Sequence, residues 1–214
     1  MPDSCTRRRF VLACIGLSLL PLHPASGLAQ DADPAVARIR AFYDALLGVM
    51  KDAERLGVRG RYDRLAPIIR ATFDLAAMTR IAVGQDWNSI PPDQQAMLVD
   101  AFSRMTIATY ASRFDGYSGE RFEVEPQTEA RNTGRIVRTR LVPSSGVPIT
   151  LDYLMRGSGN EWKVVDVYLV GMISELATRR SEFLAILRSG GPPALIQQLS
   201  EQADRSLGAQ SPSK

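Results

Sequence analysis

The chain has 214 residues, 23% of them charged, and a formal net charge of +3. This length is enough for one domain with a substantial core, and so small a net charge does not provide the basic stripe that would favour nucleic acid. The two cysteines and the one histidine, Cys5, Cys14 and His23, all lie in the first 29 residues.

Residues 1–29 are typical of a cleaved export signal. Arg7–Arg9 precedes an apolar run from Phe10 to Leu22, and Gly27–Ala29 supplies small residues for cleavage. The apolar run is shorter than the roughly 20 residues that a membrane-spanning helix needs. The arginines fit both a twin-arginine signal and an ordinary Sec signal. We therefore expect a periplasmic protein that begins near Gln30.

Removal of this segment leaves no thiol and no imidazole. It also lowers the net charge from +3 to +1, because the segment holds three Arg and one Asp. Cys–His and Ser–His–Asp sites, zinc sites built on Cys or His, His-ligated haem and disulfides are then excluded. We expect a single domain over residues 30–207 without metal or cofactor, followed by a small, polar, disordered tail at 208–214.

The first half of this domain is predicted to be helical. From Pro34 to Leu56, apolar residues recur every three or four positions, and Asp33 followed by Pro34 is a typical helix start. Gly57 and Gly60 are predicted to interrupt the helix. The same periodicity predicts helices that carry Tyr62–Phe73, Asp74–Val83, Leu98–Tyr110 and, near the end of the chain, Leu176–Leu187 and Leu195–Leu199.

Four antiparallel strands are predicted between the two helical parts. The first contains Phe122 and Val124, and the others are Arg135–Val142, Val147–Arg156 and Glu161–Val170, separated by short glycine-containing turns. The last strand is apolar on both faces, which indicates a central position. We expect an α+β fold in which N-terminal helices, a four-stranded curved antiparallel sheet and C-terminal helices enclose an apolar cavity.

Asp166 stands out because it lies in the middle of the most apolar strand. One interpretation is a general base in a hydrophobic cup, with Tyr153 or Tyr168 as the proton donor, as in an enzyme of the ketosteroid-isomerase type. The other is a structural carboxylate, because buried charges are normally paired. Its candidate partners are Arg138, Arg140 and Arg80.

Arg179 and Arg180 form an adjacent basic pair that suggests binding of a lipid phosphate. Neighbouring residues on a helix point about 100° apart, so the two guanidinium groups cannot both face one pocket. We therefore expect this pair to lie on a solvated helix face.

Five sequence blocks resemble, in the same order, those of the MlaC family, the toluene-tolerance auxiliary proteins. The blocks are Phe73–Trp87 (Phe-Asp-Leu-x-x-Met-Thr-Arg-x-Ala-x-Gly-x-x-Trp), Thr109–Ala111, Val137–Thr139, Trp162–Val167 and Arg180–Phe183. Within that family, Gly60–Leu65, Ala111–Phe122 and Leu176–Phe183 are similar to the branch called HpnM, the hopanoid-biosynthesis-associated protein.

The resemblance implies a periplasmic lipid carrier that is not an enzyme. It would be the soluble component of an ABC-type lipid transport system and would move a hopanoid or a phospholipid between the inner and outer membranes. Its partners would be the lipid, an inner-membrane transporter complex and an outer-membrane lipoprotein complex, with transient contacts to these membrane proteins. The alternative is a ketosteroid-isomerase-like enzyme that acts on an apolar substrate in the same cup.

Strand faces and this resemblance together predict which side chains line the cavity. No catalytic residue and no metal ligand is among them. The expected lining residues are Met78, Ile81, Met105, Tyr110, Val137, Leu141, Ile149, Leu151 and Tyr153.

Overall fold

A computed structural model describes residues 33–132, 134–169 and 173–208. The predicted signal at 1–29 and residues 209–214 of the predicted tail lie outside these ranges, so both stay predictions. Every helix within the described ranges is too short or too polar to cross a bilayer.

The described residues contain five α-helices and one short 3-10 helix. Asp33 caps the first α-helix as predicted, because its carboxylate accepts a hydrogen bond from the Ala35 backbone N–H at 2.9 Å. The helices are α1 (Pro34–Lys51), α2 (Ala53–Thr72), α3 (Leu75–Val83), α4 (Pro92–Arg113) and α5 (Glu175–Ser206), with the 3-10 helix at Gly84–Ser89.

Glycines break two of these helices. Gly57 in α2 has φ 60° and Gly191 in α5 has φ 68°, in the left-handed region that glycine adopts without a Cβ clash. The sequence predicted the break at Gly57, and it predicted separate helices before and after Gly191. Gly60, by contrast, continues α2 and does not interrupt it.

All four predicted strands form, and two strands of two residues extend the sheet. The strands are β1 (Arg121–Arg131), β2 (Gly134–Val142), β3 (Ile149–Thr150), β4 (Asp152–Ser158), β5 (Glu161–Leu169) and β6 (Ile173–Ser174). The sheet is antiparallel with the order β1-β2-β4-β5-β6, and β3 pairs with β2. Register shifts interrupt the β1–β2 and β4–β5 ladders, and such irregularities bend a sheet.

β5 was predicted to be a central strand, and in the sheet it lies between β4 and β6. Its pairing with β6 is short, because β6 has two residues and pairs with Tyr168 and Leu169. The turn after α2 covers part of the remaining edge, where the Asp74 N–H donates to the Val164 carbonyl at 2.9 Å. Helices α1, α2, α3 and α5 also contact β5. The strand is therefore buried by helices and a turn, which gives it the apolar composition of a central strand.

Helix α1 is fastened to the sheet at its first residue. The Asp33 carboxylate accepts hydrogen bonds from the Thr128 hydroxyl and the Arg135 guanidinium, each at 2.8 Å. The Arg135 guanidinium also lies 4.7 Å from the centre of the Trp162 ring. Apolar side chains of α1, among them Ile39, Phe42 and Leu46, then pack into the core between the helices and the sheet.

Candidate functional site

A pocket of about 140 Å³ lies where α3, α4 and the start of α5 meet the sheet. The polar part of its lining consists of Thr106, Thr109, Arg113, Glu175 and Arg179. The apolar and aromatic part consists of Phe73, Met78, Phe102, Tyr110, Phe114, Leu151, Tyr153, Val167, Leu169 and Leu176.

Aromatic rings in mutual contact form much of the wall. Phe73 meets Tyr110 and Tyr153 edge to face, with ring centres 5.8 and 6.3 Å apart. Tyr110 stacks on Phe114 at 5.6 Å. Pairs of this kind contribute about 0.5–1.5 kcal/mol each beyond the area they bury. The wall is therefore a packed aromatic surface suited to hydrocarbon.

The phenol groups of this wall stay neutral. The Tyr43 hydroxyl lies 3.1 Å from that of Tyr153 and 2.6 Å from that of Thr139, whose own hydroxyl donates to the Leu151 carbonyl. Burial is the main cause that raises the pKa of Tyr153 well above its usual value and the pKa of Tyr110 to about 12. At neutral pH these groups bear no charge, so they provide hydrogen bonds only.

The exposure of the lining residues shows where the pocket opens. Tyr153 and Leu176 are each 1% exposed and form the floor. Arg113 is exposed, and Glu175 and Arg179 are partly exposed. These three charged residues therefore form the mouth, a term used below for Arg113, Glu175 and Arg179 together.

The two adjacent arginines of α5 point in different directions, as the helix geometry predicted. Arg180 turns away from the pocket and donates to the Ile81 carbonyl at 2.7 and 3.1 Å. Arg179 lines the pocket, and its side chain is only 20% exposed. The prediction of a solvated face is therefore wrong for Arg179.

Four of the nine predicted lining residues contribute to this pocket: Met78, Tyr110, Leu151 and Tyr153. The other five lie elsewhere. Met105 and Val137 are buried in the core, Ile81 packs against it, Leu141 is half-buried, and Ile149 is 45% exposed. A role in ligand binding stays a prediction for all nine.

The sequence did not indicate the full aromatic wall. Phe102 and Phe114 lie in and just after α4, where the periodic apolar pattern predicts ordinary core. Phe73 was part of a family block, but nothing in its spacing indicated a pocket. The packing of α4 against α2, α3 and α5 brings these rings to one surface.

Asp166 is not among the residues that line the pocket. It is 7% exposed and accepts hydrogen bonds from the Ser174 hydroxyl at 2.6 Å and from the Val167 N–H at 2.8 Å. No arginine lies within 4.0 Å of it among the described residues, so the predicted ion pair is wrong. In the same ranges no three acidic side chains are grouped to hold a metal ion.

An apolar pocket between helices and a curved antiparallel sheet, with charge confined to its mouth, defines a class of proteins that hold hydrophobic ligands. The sequence model of the MlaC protein family matches residues 40–201, about three quarters of the chain. The chain therefore belongs to the MlaC family. The similarity to the HpnM branch is a finer statement, and it stays a prediction.

A solved structure shares this fold. It is a phospholipid-binding protein from Ralstonia solanacearum, in complex with a phospholipid. The two proteins are 26% identical with a TM-score of 0.70, and the match covers 80% of this chain and 98% of the other. No curated protein matches the chain.

Proposed function

We propose that the protein is a periplasmic carrier that shields the tails of a lipid in the apolar pocket. It moves a phospholipid or a hopanoid between the inner and outer membranes as a component of an ABC-type transport system. The observation that carries the proposal is the aromatic pocket, in a fold shared with a protein that was crystallised with a phospholipid. The export signal predicted at residues 1–29 supports the periplasmic location.

The physical reason for such a carrier is the cost of exposing hydrocarbon to water. Each exposed CH₂ group costs about 0.8 kcal/mol, so a sixteen-carbon tail costs roughly 13 kcal/mol. A carrier lowers this cost by covering the tail with apolar side chains such as Phe73, Phe102 and Leu151, which all line the pocket. It can leave a polar headgroup in water, and it needs no catalytic group.

The pocket has to widen when a lipid enters. Its volume is about 140 Å³. A cavity of about 150 Å³ holds a molecule of the size of benzene, whereas ligand pockets usually span about 300–1,000 Å³. Met78 lines the pocket, and a flexible methionine adapts easily to a ligand. We expect the helices to move apart from the sheet as the tail enters.

An enzyme of the ketosteroid-isomerase type is the alternative function, and it needs a carboxylate that faces the substrate. Asp166, the candidate base, is hydrogen-bonded to Ser174 outside the pocket lining. Glu175 is the one carboxylate that lines the pocket within the described residues, and it lies at the mouth 3.9 Å from Arg179. These contacts favour the carrier.

The proposal is tested by lipid transfer between vesicles. Purified protein should speed the movement of a fluorescent phospholipid from donor to acceptor vesicles. Leu151→Glu should reduce this rate at least about tenfold, because a carboxylate in the pocket carries a high desolvation cost once a lipid tail excludes water. Its melting temperature should fall little, because the empty pocket can hydrate the carboxylate.

The matched control is Ile149→Glu, two residues earlier in the chain. Ile149 is 45% exposed and does not line the pocket, so this variant should transfer lipid at the wild-type rate. If both variants transfer lipid normally, the pocket is not the lipid site. If wild-type protein transfers no lipid at all, the carrier proposal fails.

A further inference from the structure

The mouth of the pocket contains two guanidinium groups that the apolar lining does not explain. Arg113 is the last residue of α4, and Arg179 lies in the second turn of α5. We propose that these two side chains bind the phosphate of a lipid headgroup, so that the carrier selects phospholipids over uncharged lipids with the same tails. This inference rests on the proposed function, because the tails must occupy the pocket to bring the phosphate to its mouth.

The two guanidinium groups remain available to a ligand. The Arg179 Nη2 to Glu175 Oε2 distance of 3.9 Å is too long for a hydrogen bond. No carboxylate within the described residues lies within 4.0 Å of Arg113. With Glu175, the mouth therefore holds two positive charges and one negative charge, so it favours an anion.

Arg113 is exposed to solvent, but its positive charge also affects a residue of the pocket lining. Tyr110 lines the pocket, and the positive charge of Arg113 partly offsets the effect of burial that raises the Tyr110 pKa. Arg113 also lies where a cation complements the carbonyl end of α4. That position explains why an arginine suits the helix end, but it does not explain why a second arginine from another helix lines the same pocket.

Two other arginines, Arg180 and Arg61, have structural roles in which the guanidinium group is held by hydrogen bonds to backbone carbonyls. Arg180 donates two hydrogen bonds to the Ile81 carbonyl, and Arg61 is buried with its donors on the carbonyls of Ala111 and Ala53. The arginines of the mouth differ because no contact of this kind holds them among the described residues. Planar guanidinium forks match the oxygens of a phosphate, often with two hydrogen bonds at once.

The tails and the headgroup then have separate roles. Burial of hydrocarbon provides affinity, but it does not distinguish lipids that have identical tails. Charge recognition at the mouth provides the distinction, since only a phosphate-bearing headgroup satisfies the guanidinium donors. An uncharged fused-ring lipid would fill the pocket without this contact.

The test offers the protein two lipids that differ only at the headgroup. Wild-type protein is incubated with vesicles that contain equal amounts of phosphatidylglycerol and diacylglycerol with the same acyl chains. Protein and vesicles are separated by gel filtration, and both lipids are extracted from the protein and quantified. We expect wild-type protein to be enriched in phosphatidylglycerol. In the double variant R113Q/R179Q the enrichment should fall about tenfold, the upper range for two partly exposed ion pairs, with the total bound lipid unchanged.

Two further variants sharpen the comparison. R55Q/R64Q also removes two positive charges, but from exposed arginines near Asp52 on α2, and should keep the wild-type lipid ratio. Glu175→Gln removes the negative charge of the mouth and should raise the preference for phosphatidylglycerol. A further arm adds millimolar inorganic phosphate to the wild-type incubation, and the lipid ratio should not change.

The outcomes are distinguishable. An unchanged lipid ratio in R113Q/R179Q overturns the headgroup inference but leaves the carrier proposal intact. An equal fall in R55Q/R64Q also overturns it, because the effect would then come from net charge. A loss of enrichment with free phosphate would show that the mouth binds the free anion more strongly than the phosphate of a lipid, and it would overturn the inference that the mouth selects lipids by their headgroup. Wild-type protein that takes up neither lipid would contradict the carrier proposal itself.

Discussion

Asp166 links the end of the sheet to the start of α5. Its carboxylate accepts a hydrogen bond from the hydroxyl of Ser174. The hydroxyl oxygen of Ser174 in turn accepts a hydrogen bond from the Ala177 N–H in the first turn of α5. The Leu176 N–H points to the same carboxylate at 3.4 Å. The N-terminal end of a helix favours negative charge. Asp166 therefore has a structural role in this contact, and its negative charge is stabilised without an arginine.

We predict that Asp166→Asn lowers the free energy of unfolding by about 1–3 kcal/mol, because a buried charge-assisted hydrogen bond is lost. Folded protein should still bind lipid, because Asp166 does not line the pocket. Urea denaturation and lipid uptake measure the two effects. Glu161→Gln, at an exposed position of β5, is the control and should change stability little. The structural role would be contradicted if Asp166→Asn protein kept wild-type stability but lost lipid uptake. It would also be contradicted if the variant kept wild-type stability but lost a catalytic activity that the wild-type protein shows.

At the scale of the element, one carboxylate attaches the first residues of α1 to the sheet. Burial alone would raise the pKa of Asp33, but hydrogen bonds from Thr128 and the Ala35 N–H, together with the positive charge of Arg135, outweigh it and lower the pKa. A carboxyl group with a lowered pKa in the folded state stabilises the protein at neutral pH. This contribution is lost as the pH falls through the lowered pKa.

Asp33→Asn should therefore destabilise the protein by up to about 1 kcal/mol at neutral pH, because it removes the charge that attracts Arg135, although asparagine still caps the helix. The difference between wild type and variant should begin to shrink below about pH 4, the ordinary pKa of an aspartate, and should disappear below the lowered pKa of Asp33, where the wild-type carboxyl group is neutral in the folded protein too. Thermal melts of both proteins from neutral to acidic pH measure this difference. A difference that stays constant over the whole range would show that the charge of Asp33 contributes nothing.

Periodicity predicted most elements of the fold, because each helix or strand repeats its own spacing along the chain. The apolar spacing around Ile39 and Phe42 predicts a helix, and the alternation near Val137 predicts a strand. The apolar pattern also predicted that both faces of β5 are covered, and Val164 and Val165 are both buried, but the sequence does not say whether strands or helices bury them. The apolar composition of a strand predicts that it is buried, but it does not predict which helices or strands bury it.

At the scale of the whole molecule, the pocket depends on contacts between distant parts of the chain. Phe73 follows α2 and Leu176 is the second residue of α5, and both line the same space. Ile149 and Leu151 were predicted to share a strand face, but β3 ends before Leu151, and only Leu151 reaches the pocket. Local patterns do not contain this information, so only part of the site could be predicted.

The partner of Asp166 was missed for the same reason. Ser174 lies eight residues further along the chain, and the return of β6 to the edge of β5 brings its hydroxyl to the carboxylate. A buried aspartate in a strand pattern indicates only that a partner exists. Arginine was the expected partner because the sequence offers several near the strands, whereas the structure uses a hydroxyl group and a helix terminus.

The central claim is that the pocket holds a lipid, and the most direct measurement is the mass of the intact protein after gentle purification from the periplasm. Native mass spectrometry should show protein with lipid bound, and solvent extraction of the same sample should identify that lipid. Leu151→Glu protein that melts near the wild-type temperature should carry none. Wild-type protein that is folded, correctly exported and free of lipid in every preparation would contradict the account.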